Sequence, residues 1–216
     1  MSGKPEMFTG LVTDIGRVTS IEDANGIRRV RVESRYPASS IQMGASIEHS
    51  GVCLTVVEFG ATPRDGSWWT VEAIPETLSR TTLGSWKVGG EVNLELSLKL
   101  GDELGGHLVY GHVDGLGRVR SVTPDGDSRR IRIEIAEPLA KFLAEKGSIT
   151  VDGVSLTVSG VGRNDGSDWF EVAIIPHTWQ VTTLGALAAG DRVNLEVDML
   201  ARYVARMLEW RQSPGD

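Results

Sequence analysis

The chain has 216 residues, 29 acidic and 22 basic side chains, a net charge of −7 and a pI near 5.2. At roughly 150 residues per domain that length accommodates one large domain or two small ones, and its 40% apolar and 24% charged composition is that of an ordinary globular protein. The single cysteine, Cys53, excludes a disulfide framework and any multi-cysteine metal site, the acidic balance argues against a nucleic-acid partner, and no apolar run approaches the roughly 20 residues that span a bilayer.

From the N-terminus, MSGKPEMFTG lacks the apolar core of a secretory signal, so a cytoplasmic protein with no membrane partner is expected. GLVTDIGRV (10–18) and the strictly alternating RRVRVE (28–33) read as half-buried strands separated by an Ala-Asn-Gly turn. PASSIQMG (37–44) is a weak helical segment. SIEHSGVCLTV (46–56) follows as a pair of short strands, then IPETLSRTTLG (74–84) and VNLEL (92–96).

The same series then returns. GHVDGLGRV (111–119) matches 10–18, RRIRIE (129–134) matches 28–33, and SITVDGVSLTV (148–158) matches 46–56 with seven of eleven residues identical. IPHTWQVTTLG (175–185) and VNLEV (193–197) complete the second copy, all at a shift of 101 or 102 residues. Five ordered matches at nearly constant offset define a tandem duplication of one unit of about a hundred residues. In each copy, short strands punctuated by glycine turns suggest a small closed β-barrel. GVSLTV places Val154, Leu156 and Val158 on one face, with Ser155 and Thr157 on the other. EPLAKFLAEKG (137–147) reads as a short helix ending at Lys146 and Gly147. Beyond the second copy, DMLARYVARMLEWR (198–211) is an amphipathic helix with Asp198 as its N-cap and an apolar stripe of Leu200, Tyr203, Val204, Met207 and Leu208. That stripe must be covered, either by the chain's own barrels or by other copies, and the second arrangement is favoured.

No dinucleotide, P-loop or nucleophile-elbow motif is present. His107 and His112, five residues apart in GGHLVYGHVDG, have no third ligand beside them, so no metal is expected. The chemistry-bearing groups are therefore small. Cys53 and its counterpart Ser155, Thr157, the two histidines among glycines, Lys146 and Asp198 are the candidates, and each also has a purely structural explanation.

Together MFTGLVTDIGRV, GVCLTV, IPETLSRTTLG, LGDELGGHLVYGHVDGLG, KGSITVDGVSLTV and VNLEVDMLARYVARML closely resemble the α-type riboflavin synthases, over residues 7–209. The resemblance implies a mainly β fold of two similar closed six-stranded Greek-key barrels and a C-terminal helix. It divides the chain into a 1–6 extension or cloning remnant, an N-terminal lumazine-binding barrel (7–103), a C-terminal one (104–197) and an oligomerisation helix with tail (198–216). The implied reaction is a dismutation in which two molecules of 6,7-dimethyl-8-ribityllumazine exchange a four-carbon unit. The products are riboflavin and 5-amino-6-ribitylamino-2,4-pyrimidinedione, with no cofactor and no metal. The implied assembly is a homotrimer with sites between the N-terminal barrel of one subunit and the C-terminal barrel of the next; association with lumazine synthase is left open.

Carried onto this chain, the resemblance gives catalytic candidates Cys53, His112, Ser155, Thr157 and Asp198. The binding candidates are Phe8, Ser46, Thr55, His107, Gly111, Val113, Lys146, Thr182 and Thr183, with Thr81 and Thr82 as the first-copy equivalents of the last two. His112 is expected to transfer protons, with His107 secondary. The chain departs from the family pattern in the six residues before Met7, in Ser50, where Asn or Asp is usual, and in Tyr110, where Gln is frequent. The alternative is a non-catalytic relative that binds lumazine or flavin as an antenna or carrier.

Overall fold

The structure, a computed structural model, describes residues 7–212; the expected 1–6 extension and the last four residues lie outside the described residues. Six strands form the first closed barrel: β1 (Asp14–Ala24), β2 (Ile27–Ser34), β3 (Ser46–His49), β4 (Val52–Ala61), β5 (Ser67–Ala73) and β6 (Glu91–Leu96), hydrogen-bonded around the ring in the order β1-β2-β5-β4-β3-β6. The second barrel repeats that order with β7 (Gly115–Asp125), β8 (Ser128–Ile135), β9 (Ser148–Val151), β10 (Val154–Asn164), β11 (Ser167–Ile174) and β12 (Arg192–Val197). All pairings are antiparallel, and four bulges fall at equivalent places, at Val18/Ser20 and Val56/Glu58 in the first barrel and Val119/Ser121 and Val158/Gly160 in the second. Bulges sharpen the local twist, which lets strands as short as these close a ring.

The turns follow from local chemistry. Asn25-Gly26, Ser50-Gly51, Asp152-Gly153 and Asp165-Gly166 all have positive φ at both central positions, the geometry whose twist matches that of a two-residue hairpin. Pro75 and Pro176 open two matching helices, α1 (Pro75–Arg80) and α3 (Pro176–Val181), where a missing N–H does no harm. Two expectations are corrected. The segment 37–44 holds only a three-residue 3₁₀ turn (Ala38–Ser40), and the helix expected over 137–147 stops after four residues, α2 (Glu137–Ala140). Beyond it the chain turns back toward β10. Lys146 sits at φ +67 with its N–H donated to the Val158 carbonyl at 2.8 Å, so it is not a helix end. Its counterpart Gly44 holds the same turn at φ +76, with its N–H on the Val56 carbonyl. The tail forms α4 (Met199–Gln212), and Asp198 caps it as expected, accepting from the Leu200 N–H at 2.9 Å.

Each barrel has its own core, with Trp69 central in the first and Phe170 in the second. The interiors differ at one pair. Trp69 Nε1–H donates to His49 Nε2 at 2.8 Å, and His49 Nδ1 lies 2.9 Å from the Ile47 carbonyl, so a polar pair occupies the place where the second barrel has Phe170 and Val151. Burial pushes the His49 imidazole down to about 4, and it is therefore neutral at physiological pH. His49→Val alone strands the Trp69 N–H in an apolar interior, at a cost of about 1–3 kcal/mol. We expect the double variant H49V/W69F, which copies the second barrel, to melt well above the value obtained by summing the two single losses. Additive losses in thermal melts would show that the pair has no energetic coupling.

Candidate active site

The two barrels meet along an approximate two-fold axis, and the seam is built from residues that are each other's repeat equivalents. Phe8 and Val109, equivalent positions, exchange both backbone hydrogen bonds, at 2.8 and 3.1 Å. Asn93 Nδ2 donates to the Asp152 carbonyl at 2.8 Å while its Oδ1 accepts from the Thr183 N–H; Asn194 Nδ2 donates to the Ser50 carbonyl at 2.7 Å while its Oδ1 accepts from the Thr82 N–H. The segments leading into the barrels cross over. Val12 packs against the core of the second barrel and Val113 against that of the first.

This crossing brings segments of each half against the candidate positions Cys53 and Ser155 of the opposite barrel. The Cys53 N–H donates to the Gly111 carbonyl at 2.9 Å, and the Ser155 N–H to the Gly10 carbonyl at 2.8 Å. Both glycines have positive φ, +68 and +74, and a methyl group on either would sit 2.6 Å from the Cβ of Cys53 or Ser155. No other residue satisfies both the left-handed backbone and the close approach.

Register fixes which side chains share a face. On the outer side of the first barrel Ser46 lies opposite Thr55 and Glu48 opposite Cys53; on the second, Ser148 lies opposite Thr157 and Thr150 opposite Ser155. Thr55 and Thr157 are exposed, Cys53 and Ser155 half-buried, and Ser46 buried. Ser148, the repeat equivalent of Ser46, belongs to the same set, and comparing the two copies strand by strand would have found it. His107 Nδ1 lies 2.7 Å from Ser155 Oγ, and the Asp198 charge acts on the same imidazole. Burial lowers the His107 pKa, with Asp198 opposing it. The structure thus places His107, under the charge of Asp198, against Ser155, and it is His107 rather than His112 that touches this candidate hydroxyl.

His112 is exposed and, with Val113, lines a separate cleft of about 590 Å³ between the 110–114 segment and α4, closed by Glu196, Arg202 and Tyr203. Lys146 is exposed in its left-handed turn. Three binding candidates are otherwise engaged. Phe8 is fully buried in the seam, the Thr182 hydroxyl donates to the Thr178 carbonyl and accepts from the Leu184 N–H, and the Thr183 N–H is taken by Asn93. In the first copy the Thr81 hydroxyl donates to the Thr77 carbonyl and accepts from the Leu83 N–H, while the Thr82 hydroxyl accepts from Asn194 Nδ2.

The residues that sequence reasoning missed are the acids of the seam. Glu95 accepts from the Thr9 N–H (2.7 Å), the Thr9 hydroxyl (2.6 Å) and the Gly10 N–H (2.9 Å); Glu196 accepts from the Tyr110 N–H (2.8 Å) and the His112 N–H (2.9 Å). Asp152 accepts from the Asn194 N–H at 2.8 Å, and Glu48 from the Gly51 N–H at 2.9 Å. Burial raises all four, pushing Asp152 and Glu196 up to about 7 and Glu48 well above the ordinary range. The signal for Glu95 and Glu196 was an outward-facing glutamate between two apolar residues in both VNLEL and VNLEV.

A lumazine-binding-domain family model matches this chain twice, over residues 9–97 and 110–198, one match for each barrel. The chain is 48% identical to the riboflavin synthase of Brucella abortus (strain 2308) over 206 residues, covering 95% of this chain and all of that protein. It is 46% identical to that of Mycobacterium tuberculosis (strain ATCC 25618 / H37Rv) and 34% to that of Bacillus subtilis (strain 168), in each case over 94% of its length and 98% and 90% of theirs. The chain belongs to the riboflavin synthase family. Among solved structures, LumP complexed with 6,7-dimethyl-8-(1'-D-ribityl) lumazine superimposes with a TM-score of 0.73 at 25% identity, covering 88% of this chain and 98% of that one. LumP complexed with riboflavin gives 0.72 at the same identity and coverage.

In this member of the riboflavin synthase family the seam acids make stability depend on pH with a definite sign. Asp152 holds its proton in the folded chain up to about 7 but releases it near 3.8 when unfolded. Its contribution is therefore fully present below the lower value and lost as pH rises through the higher one. Asp152→Asn keeps the acceptor for the Asn194 N–H and removes the titration. The melting temperature of the variant relative to the parent is expected to rise between pH 4 and pH 8. A difference independent of pH would contradict the assignment.

Proposed function

We propose that the chain catalyses the reaction for which its relatives are named, working as a riboflavin synthase. Two molecules of 6,7-dimethyl-8-ribityllumazine bind, one giving up a four-carbon unit and the other receiving it, to yield riboflavin and 5-amino-6-ribitylamino-2,4-pyrimidinedione. Donor and acceptor are the same compound, so the electrons balance within the pair. The observation that carries this reading is the matched outer face of the two barrels, Ser46, Cys53 and Thr55 on one and Ser148, Ser155 and Thr157 on the other, each fit to hold one flat heterocycle.

The chemistry asked of the protein is modest. The lumazine 7-methyl group is acidic because its anion delocalises into the rings. Stacking two such rings in register can be worth roughly 7–11 kcal/mol, and each well-placed acid or base about 10²–10⁴-fold. In this reading Cys53 assists addition or proton transfer on the first half-site. Ser155, hydrogen-bonded to a neutral His107 under the influence of Asp198, does so on the second. Thr157 and Thr55 face the heterocycles, Lys146 reaches polar substituents beside Thr157, and His112 with Gly111 and Val113 borders the ribityl side. Phe8, Thr182 and Thr183 then support the site from within the seam. Cys53→Ser, which copies Ser155, is expected to slow turnover roughly tenfold or more without lowering the melting temperature by more than a few degrees. Unchanged kinetics would remove the thiol from the mechanism.

The reading extends to a cytoplasmic homotrimer, with barrels at 7–103 and 104–197 joined by the 198–216 helix and tail, and with each site completed by a neighbouring subunit. What supports the assembly is α4, whose Leu200, Tyr203, Val204, Met207 and Leu208 are each more than half exposed in the single chain. Burying them against two other copies removes an apolar stripe from water. Sedimentation is expected to give a trimer for the parent and a monomer with little turnover for the double change V204E/M207E. A fully active monomeric parent would refute shared sites.

The decisive assay incubates the full chain with 6,7-dimethyl-8-ribityllumazine in EDTA with nothing else added. One riboflavin formed per two lumazines consumed, over many turnovers, is the expected result. Tight binding without turnover would indicate the antenna or carrier instead.

A further inference from the structure

Glu95 and Glu196 occupy equivalent places in the two barrels, are almost completely buried, and direct their carboxylates at backbone N–H groups. Glu196 spans a fork, one oxygen on the Tyr110 N–H and the other on the His112 N–H. Gly111 is therefore held between two fixed amides, and its carbonyl is the acceptor for the Cys53 N–H in the other barrel. Glu95 takes the Thr9 N–H and hydroxyl on one oxygen and the Gly10 N–H on the other; the Gly10 carbonyl takes the Ser155 N–H and the Thr9 carbonyl the His107 N–H at 3.2 Å. The contacts at Cys53 and Ser155 leave no slack, since even one added methyl at either glycine would overlap them.

We propose that these two glutamates are positioning residues wired crosswise, Glu196 of the second barrel setting the Cys53 half-site of the first and Glu95 of the first barrel setting the Ser155–His107 half-site of the second. This rests on the reading of Cys53 and Ser155 as the reactive positions, and it adds two residues that act on them only through the backbone. A carboxylate is needed at each place because it offers two acceptors without a donor. A glutamine offers one acceptor and turns an N–H toward another N–H, so one limb of the fork opens.

The test compares Glu196→Gln with Glu95→Gln in the full chain, reading turnover, iodoacetamide alkylation of Cys53 and the thermal melt. Cys53 is the only cysteine of the chain, so the alkylation rate reports one half-site alone. Crosswise wiring predicts that E196Q changes that rate at least fivefold while E95Q leaves it within twofold. Both are expected to lower kcat at least tenfold with KM changed less than threefold. Equal changes in alkylation, or changes that follow only the loss of thermal stability, would overturn the proposal, as would an E196Q chain with unaltered alkylation. If either glutamine variant does not fold, Glu196→Asp and Glu95→Asp, which keep two acceptors but draw them back by one carbon, are compared by the same criteria. If even the parent makes no riboflavin, the functional reading fails by itself, and the alkylation contrast still decides the wiring.

Discussion

The rest of the structure depends on the hydrogen bonding across the approximate two-fold axis. A six-stranded barrel of this size has a small interior, and each of the two here encloses a separate core. Val12 and Val113 cross into the opposite cores, and the other bridges between the barrels are polar. Asn93 and Asn194 each satisfy a carbonyl and an N–H of the opposite barrel, and Phe8 and Val109 pair as a two-residue fragment of sheet. Because the bridges of Asn93 and Asn194 are repeat equivalents, these contacts are made twice by one design. Sliding one barrel against the other breaks both halves at once, whereas an apolar seam tolerates such a shift. That rigidity is what a site built from small groups requires, since a hydroxyl or a thiol has little reach with which to correct a misplaced heterocycle.

Buried carboxyls are the unfavourable side of this arrangement. Burial raises Glu48, Glu95, Asp152 and Glu196, and the charges of the other three raise Glu48 further. Three of them serve backbone geometry at the glycine-rich crossings or at an interdomain asparagine, and Arg202 is the cation whose charge reaches Glu196, from the start of α4. Arg202 also pairs with Asp114, whose other oxygen accepts from the Val197 N–H. The tail helix is thus tied electrostatically to the segment that carries His112, while its apolar face points away from its own barrels. Stability given up in the seam is of the kind that active sites commonly show, where preorganisation takes precedence over the best local energy.

Much of the fold was legible because the duplication supplies its own alignment. Five matched segments at a shift of 101 or 102 gave the two barrels, and the Ala-Asn-Gly turn marked a hairpin whose positive φ values at Asn25 and Gly26 the structure contains. The 137–147 segment misled because Leu139, Phe142 and Leu143 have helical spacing, although Leu143 in fact turns inward to pack on the second core from a turn. Comparison with 37–44 held the warning, for Gly44 stands where Lys146 does and a residue at φ +67 cannot continue a helix. The seam acids were illegible for a different reason. A glutamate alternating with core residues on a strand looks like an ordinary solvent-facing position, and only the crossing of the leading segments, a feature of tertiary structure, makes that outer face an inner one.

Duplication also explains how one fold serves a reaction between two identical molecules. The ancestral unit gives each barrel a similar outer strand face, while the copies diverge at single positions on it. Cys53 faces a neighbouring Glu48 where Ser155 faces Thr150, and Ser155 has His107 beside it. A carboxyl that burial pushes up, across from a thiol, and an imidazole that burial pushes down, beside a hydroxyl, are different proton environments on the same scaffold. If the two lumazines were treated alike, neither would be favoured as donor. These differences lie at the cross-strand partners of Cys53 and Ser155 and at the histidine beside Ser155, while the Asn93 and Asn194 bridges are common to both copies.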